Sequence, residues 1–131
     1  MTTPHHLLTI LAVADLERSL AFYTEAFGWP LRVDAPVYKE LELPDGRGLG
    51  LYQREAYAKN TGLLPDVVPA GAITGTEIYL HVGDLEAAVQ RLRKLGAREL
   101  SPPSERPWGD RAAYFADPDG NVLVVAKPLD G

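Results

Sequence analysis

Within residues 76–84, in the second half of the chain, positions 77–82 alternate between polar and apolar side chains. Ile78, Leu80 and Val82 fall on one side, which predicts a β-strand with one apolar face. The opposite face of this strand carries a carboxylate, a phenol and an imidazole in a row, from Glu77, Tyr79 and His81. The pattern therefore predicts that these candidate functional side chains lie on the strand face opposite the packed apolar face.

A helix is predicted directly after this strand. Asp84 has the residue type of an N-cap, and Gly96 suits the left-handed position that ends a helix. Between these two residues, apolar side chains recur at the spacing of one helix face. They are Leu85, Ala88, Val89, Leu92 and Leu95.

The first half of the chain repeats this design. An apolar strand over residues 8–13 is followed by Asp15 as the cap, an apolar stripe and Gly28. The stripe consists of Leu16, Leu20, Tyr23 and Phe27. The Val-x-Asp-Leu-Glu pattern recurs at an offset of 69 residues, and a Pro-Asp-Gly turn recurs at an offset of 74. Such self-similarity indicates internal duplication.

We therefore predict an α+β fold of two βαβββ modules, with eight strands and two helices in all. The modules form curved mixed sheets around a shared cavity, with the helices outside. One domain spans residues 1–131, with module one at about 5–53, a linker at about 54–74 and module two at about 75–128. The linker has no regular pattern, and functional and purely connecting roles are equally compatible with it. Residues 101–107 are too rich in proline for a predicted strand.

Composition excludes several classes of function. The chain of 131 residues has no cysteine, which excludes a disulfide and a thiol nucleophile. No apolar run approaches the roughly 20 residues of a membrane span, and no signal-peptide pattern is found at the N-terminus, so we expect a cytoplasmic protein. A net charge of −5 and scattered basic residues argue against nucleic acid as a partner.

Strand alternation and the two offsets predict which side chains line the cavity. The predicted ligand-binding residues are mainly acids and rings, namely Tyr38, Glu40, Tyr52, Glu77, Tyr79, His81, Trp108, Asp110 and Tyr114. Carboxylates seldom enter an interior unpaired, because desolvation is costly. Arg32, Arg47 and Arg111 are the candidates to neutralise them, and such pairing is the structural alternative to a binding role.

Three motifs resemble the vicinal oxygen chelate superfamily, which includes glyoxalase I, bleomycin-resistance proteins, fosfomycin-modifying enzymes and extradiol dioxygenases. They are Asp-Leu-Glu-Arg-Ser-Leu-Ala-Phe-Tyr at 15–23, Asp-Leu-Glu-Ala-Ala-Val at 84–89 and Ala-Asp-Pro-Asp-Gly-Asn-Val at 116–122. The resemblance covers nearly the whole chain and implies paired βαβββ modules. It also implies a divalent metal between the modules, held by residues of the first and last strand of each.

The positions that the resemblance assigns to metal ligands are occupied here by Leu8, about Gly50, Glu77 and Val124. Only Glu77 carries a ligating group, whereas metal centres in enzymes need about three protein ligands. We therefore predict no metal and no other cofactor. The alternative is a rearranged site that adds His6, from a strand beside that of Glu77 and His81, or a loop residue.

The leading hypothesis is a metal-free protein that binds and sequesters a cationic or donor-rich organic molecule between aromatic walls. The resemblance to bleomycin-resistance proteins supports it and implies a homodimer. The alternatives are a glyoxalase-like lyase, isomerase or dioxygenase with a degenerate or rearranged metal site, or metal-independent acid–base catalysis. In the last case Glu77 is the predicted catalytic base, with its pKa raised by burial and His81 as its counterpart. A protein whose only role is association is the third class.

Overall fold

The computed structural model describes residues 2–130. The chain divides into two compact units, one ending at Val67 and the other beginning at Val68. Each unit contains one four-stranded mixed sheet. The predicted α+β class and the duplicated strand order are confirmed, while the assignment of both units to one domain around a shared cavity stays a prediction.

The first unit contains four strands and two helices. In chain order they are β1 (Leu8–Val13), α1 (Leu16–Phe27), β2 (Leu31–Ala35), β3 (Tyr38–Glu42), β4 (Gly48–Gln53) and α2 (Arg54–Thr61). The strand order in the sheet is β1-β4-β3-β2. β1 runs parallel to β4, and the other two pairs are antiparallel.

The second unit repeats this topology with one helix. Its elements are β5 (Glu77–His81), α3 (Leu85–Lys94), β6 (Arg98–Glu105), β7 (Asp110–Ala116) and β8 (Val122–Pro128). The strand order is β5-β8-β7-β6, again with one parallel pair, β5 with β8. The crossover in each unit therefore runs through the helix that follows the first strand, as parallel pairing requires.

The predicted helix ends are confirmed. The carboxylate of Asp15 accepts a hydrogen bond from the backbone N–H of Arg18 at 3.1 Å, and that of Asp84 accepts one from Ala87 at 3.0 Å. Each bond satisfies one of the N–H groups that a helix start leaves without a partner. Gly28 ends α1 with a φ of 69°, which glycine adopts without steric cost.

In each sheet one face is buried beneath the unit's main helix. By strand alternation, the neighbours of the predicted cavity residues should face the helix, and they are buried, among them Leu41, Leu49, Leu51, Ala113 and Phe115. The prediction was less accurate for β5, where Ile78 and Leu80 are only half-buried. The opposite face of each sheet carries the side chains that were predicted to bind a ligand.

Helix α2 was missed by the sequence analysis, which predicted an irregular linker from residue 54. The side chain of Gln53 caps this helix by accepting from Ala56 N–H at 2.9 Å, and Gly62 ends it in the left-handed region. None of its residues is buried, so no apolar stripe marks it in the sequence. No helix among residues 2–130 is long and apolar enough to cross a membrane.

Strand β6 continues through Pro102 and Pro103, where the sequence analysis predicted irregular structure. It lies at the edge of its sheet, where a missing N–H need not cost a ladder hydrogen bond. Its register with β7 also shifts twice, between Glu99 and Ser101 and between Ser101 and Ser104. Such irregularities let an edge strand accommodate proline.

Two glycines of β4 form the floor of the first sheet's face opposite α1. A Cβ atom at Gly50 would lie 2.5 Å from the Tyr38 hydroxyl and 2.9 Å from Ile10 Cγ1. One at Gly48 would lie 2.6 Å from Arg32 Nη2. The larger side chains of the neighbouring strands therefore lie directly over the β4 backbone.

The glycine floor generates a test of packing. Gly50→Ala should lower the free energy of unfolding by about 1–3 kcal/mol, because the new methyl group overpacks the space under Tyr38. Gly75→Ala is the control, since a Cβ at Gly75 has no neighbour within 4 Å. Urea unfolding monitored by circular dichroism gives both values, and equal effects of the two substitutions would contradict this packing.

Candidate functional site

The polar face of β5 lies beside the small side chains of β8. In the ladder, Tyr79 is the partner of Val124 and His81 is the partner of Ala126. β8 in turn pairs with β7, whose first residue is Asp110. Since Ala126 has only a methyl group, we infer that Tyr79 and His81 have room to reach across β8 to Asp110.

Four predicted site residues form one hydrogen-bonded cluster, which we call the Asp110 cluster: Tyr79, His81, Trp108 and Asp110. Tyr79 donates its hydroxyl proton to Asp110 Oδ2 across 2.5 Å. His81 Nε2 lies 2.9 Å from the same oxygen. The indole Nε1 of Trp108 donates to the Tyr79 hydroxyl oxygen at 2.7 Å. The other three polar groups thus depend on one carboxylate, Tyr79 and His81 directly and Trp108 through Tyr79.

Trp108 is positioned by a tight turn between β6 and β7. The N–H of Gly109 donates to the carbonyl of Arg106 at 3.1 Å, and Arg106 N–H donates to the carbonyl of Asp110 at 2.8 Å. Pro107 supplies the fixed φ favoured at the second position of such a turn. Trp108 follows it at the tip and is 56% exposed.

The hydrogen bonds set the charge state of the cluster. The bonds from Tyr79 and His81 hold the pKa of the Asp110 carboxyl below its usual value, so the group is ionised at neutral pH. Burial, together with the bond to Asp110, raises the pKa of Tyr79, which stays a neutral donor. An ionised Asp110 can only accept, so His81 donates from Nε2 and the neutral imidazole has its lone pair on Nδ1.

The cluster is anchored in the sheet but open to solvent. Asp110 is only 8% exposed, whereas Tyr79 is 37% exposed and the His81 side chain is 56% exposed. Both side-chain bonds to Asp110 end on Oδ2. Its other oxygen, Oδ1, accepts no hydrogen bond from the residues that the structure describes. A ligand donor could bind there beside two exposed rings.

Tyr114 was also predicted to bind a ligand, but it forms no hydrogen bond with the Asp110 cluster. Its ring packs against a small apolar cluster of Ala112, Val122, Val124 and Ala126. The guanidinium carbon of Arg106 lies 4.8 Å from the ring centroid. Arg106 also donates to Ser101 Oγ at 2.9 Å. The sequence analysis missed Arg106, because a proline-rich stretch gave no strand from which its direction could be read.

The structure corrects the prediction for Glu77. We expected a buried carboxylate with a raised pKa, but Glu77 is exposed. Its register partner is Val122, and its side chain makes no hydrogen bond or ion pair with any residue in the described part of the chain. The buried carboxylate of this sheet face is Asp110 instead.

In the first unit, the predicted site residues Tyr38 and Glu40 form a closed network with Arg32. Arg32 Nε lies 2.5 Å from Glu40 Oε2, and the Tyr38 hydroxyl donates to Glu40 Oε1. The bond from Tyr38, followed by that from Arg32, lowers the pKa of Glu40. Burial, with the bond to Glu40, raises the pKa of Tyr38. Both carboxylate oxygens are engaged, as the pairing alternative predicted.

Tyr52 completes this face as part of a row of rings. Its ring centroid lies 5.2 Å from that of Tyr38 and 5.5 Å from that of Tyr57. Both distances fall within the range of favourable aromatic contacts. Tyr57 belongs to α2, so it could not be predicted without that helix. The row indicates a packed aromatic surface rather than a set of free ligand-binding groups.

The residues at the family's metal positions do not fit a metal centre. Leu8 and Val124 are apolar, and the space in front of Gly50 is occupied by the Tyr38 hydroxyl. Within residues 2–130, no group of three or more histidine or acidic side chains is arranged to hold an ion. The alternative with His6 stays a prediction, since β5 pairs with β8 and the strand after His6 pairs with β4, each within its own unit.

The lowered pKa of Asp110 predicts a specific pH dependence of stability. The pKa of Asp110 is lower in the folded protein than in the unfolded chain, where it is about 3.9. Asp110 therefore stabilises the fold above this unfolded-state pKa, and the stabilisation is lost as the pH falls through the folded-state pKa. The free-energy difference between wild type and Asp110→Asn should therefore shrink below about pH 4. Urea unfolding at a series of pH values measures it, with Glu77→Gln as the control for losing one charge on the same face. Parallel curves for wild type and Asp110→Asn would contradict the bonding described here.

Comparison with known proteins identifies relatives along almost the full length of the chain. It is 26% identical over 121 residues to the uncharacterized protein YraH of Bacillus subtilis, covering 91% of this chain and 94% of that protein. A crystal structure of a glyoxalase/bleomycin resistance protein/dioxygenase from Nocardioides superposes with a TM-score of 0.81 at 28% identity, over 100% of this chain and 87% of that one. A glyoxalase-related enzyme from Fulvimarina pelagi gives 0.82 at 23% identity, over 95% and 88%.

A family profile connects these similarities. The profile described as Glyoxalase/Bleomycin resistance protein/Dioxygenase superfamily matches residues 3–125, which include every strand of the first sheet and most of the second. The resemblance stated from the three sequence motifs is thereby confirmed. The chain belongs to the glyoxalase/bleomycin resistance protein/dioxygenase superfamily.

Proposed function

We propose that this protein binds a small cationic or donor-rich organic molecule at the Asp110 cluster, without a metal ion. The observation that carries the proposal is a buried, ionised carboxylate that holds exposed aromatic side chains around it. Large exposed rings are costly to maintain on a surface and often mark an interaction site. Superfamily membership is compatible with this role, since the family description includes bleomycin resistance proteins.

The charge of the cluster favours a cation. Asp110 carries a full negative charge, and Oδ1 is available to a ligand N–H. A positively charged group placed there would lie beside the faces or edges of Tyr79 and Trp108, and aromatic faces attract cations within about 6 Å. Glu77 adds a second carboxylate on the same face of the sheet. No Lys or Arg side chain forms an ion pair with either carboxylate among the described residues.

The ligand class can be tested with three probes of nearly equal shape: benzamidinium, benzamide and benzoate. We expect benzamidinium to bind and to change the fluorescence of Trp108, with Trp108→Phe identifying the source of the signal. Asp110→Asn should weaken binding by about one to two decades, since a hydrogen bond to a charged group contributes roughly 1.5–3 kcal/mol. Fluorescence titration measures the affinity.

Glu77→Gln is the matched control for this experiment. It removes a carboxylate from the same face, but one that is exposed and anchors no ring, so its effect should be less than about threefold, as for a solvent-screened charge. Equal losses of benzamidinium affinity in Asp110→Asn and Glu77→Gln would mean that the net charge of this face, and not a specific contact with Asp110, determines binding. Equal binding of benzamide and benzamidinium would refute a cation site.

A second candidate function is metal-independent acid–base catalysis, with His81 in place of Glu77 as the base. The observation that favours it is the contact between His81 Nε2 and Asp110, which orients the ring and leaves the Nδ1 lone pair at the exposed side chain. A carboxylate that holds an imidazole in one tautomer is a recurrent arrangement for general bases. Glu77 lacks comparable contacts, so it is the weaker candidate.

This candidate predicts proton exchange on a carbon acid that carries a cation. 2-(Dimethylamino)acetophenone combines an ammonium group for Asp110 with acidic protons next to its carbonyl group. In deuterated buffer, wild-type protein should speed exchange of these protons by at least about 100-fold over His81→Gln, the usual scale of general-base catalysis. Proton NMR measures the rate, and equal rates for the two proteins would exclude His81 as a base for this substrate class.

We further propose a cytoplasmic homodimer, as the sequence analysis predicted. The support lies in the open sheets: each unit has two edge strands, and exposed edges are usually paired or covered. Apolar side chains on the edge strands are also exposed, including Ile10, Leu31 and Val33. Light scattering should give twice the 14.3 kDa chain mass. A monomer mass at all concentrations would contradict the proposal.

A further inference from the structure

A solvent-open groove of about 520 Å³ lies on the second unit, apart from the Asp110 cluster. Its walls are residues 83–86, Pro103, Arg111 and residues 127–129. The volume falls within the usual range for small-molecule sites, about 300–1,000 Å³. The groove contains no member of the Asp110 cluster, so the proposed function does not use it.

Two cations lie next to each other in this groove. Arg111 of β7 and Lys127 of β8 are direct partners in the antiparallel ladder. Like charges in this position repel each other and destabilise the strand pair. Neither side chain makes an ion pair or hydrogen bond with any residue in the range 2–130, although the whole chain carries a net charge of −5. The sequence analysis had considered Arg111 as a partner for a cavity carboxylate, and it is not one.

The carboxylates close to these cations are engaged elsewhere. Asp84 caps its own helix through the bond to Ala87 N–H, and Glu86 accepts a hydrogen bond from the side chain of Gln90 at 3.1 Å. Glu105 is the ladder partner of Arg111 on the other side, but the two side chains form no ion pair. Among the described residues, none of these three acids forms an ion pair with Arg111 or Lys127.

The groove and the Asp110 cluster lie on opposite faces of the same sheet. Successive strand residues point to opposite faces, so Arg111 and Lys127 have the parity of the helix-side residues Ala113 and Val125. Asp110 has the parity of Ala112, on the other face. A ligand in the groove therefore meets the cations of Arg111 and Lys127 beside the carboxylates of Asp84 and Glu86, while a ligand at the cluster meets Asp110 on the other face.

We propose that this groove is a second binding site, which takes a small organic carboxylate with an apolar body. The guanidinium of Arg111 has the planar fork that matches a carboxylate, and Lys127 adds a point charge beside it. Leu85, Pro103 and Leu129 supply apolar contacts for the rest of the molecule. Binding of the anion would relieve the repulsion between the two cations.

The experiment uses benzoate as the probe and benzamide as its uncharged counterpart. In two-dimensional amide NMR spectra of the full chain, benzoate should cause saturable shifts at Gly83, Leu85 and Leu129, and benzamide should bind at least about tenfold more weakly. Arg111→Met and Lys127→Met should each weaken benzoate binding by about tenfold. The same spectra report whether each variant is folded, and Arg111→Lys, which keeps the charge and loses the fork, provides a milder second test.

Lys94→Met is the matched control, because Lys94 is an exposed cation at the far end of α3 from the groove. It should leave benzoate affinity unchanged. The proposal is overturned if Lys94→Met and Lys127→Met weaken binding equally, if benzamide binds as well as benzoate, or if no saturable shift occurs in the groove. Benzoate shifts confined to Tyr79 and Trp108 would also overturn it, because they would assign the anion to the Asp110 cluster.

Discussion

A carboxylate that is removed from water must receive hydrogen bonds, and this requirement organises the polar face of both sheets. In the second unit the acceptor is Asp110, which holds Tyr79 and His81 directly and Trp108 through Tyr79. In the first unit the acceptor is Glu40. Without these acids, Tyr38 and Tyr79 would lose the hydrogen bonds that their hydroxyl groups donate.

Each half of the chain contains a hydrogen-bonded network centred on one carboxylate, but the two networks differ in how exposed they are. In each, a tyrosine and a basic side chain bind one acid: Tyr38 and Arg32 bind Glu40, and Tyr79 and His81 bind Asp110. Arg32 and Tyr38 engage both oxygens of Glu40 above the glycine floor, and Arg32 pairs its charge. His81 and Tyr79 share a single oxygen of Asp110 and stay exposed. Internal duplication has therefore produced one closed network and one open cluster, and we assign binding to the open one.

Strand alternation was enough to predict the face shared by Tyr79, His81 and Asp110, because period-two patterning is a local property, and the two sequence offsets predicted the duplicated topology. The alternation could not predict which acid would be buried. Glu77 and Asp110 lie on the same face of the sheet. They differ in burial and in hydrogen-bond partners, and this difference depends on Ala126 of an intervening strand and on the turn that carries Trp108. Helix α2 and the proline-containing β6 were missed for a related reason. One buries no residue and the other lies at a sheet edge, so neither carries the apolar pattern on which the prediction rests.

The tautomer of His81 tests the central claim most directly, since it reports whether the Asp110 carboxylate orients the ring. Long-range nitrogen–proton NMR correlations distinguish Nε2–H from Nδ1–H in a neutral imidazole. The account predicts the Nε2–H form in the wild-type protein, with Nδ1 unprotonated, and a loss of this preference in Asp110→Asn. An Nδ1–H tautomer, or a mixture that Asp110→Asn leaves unchanged, would contradict it.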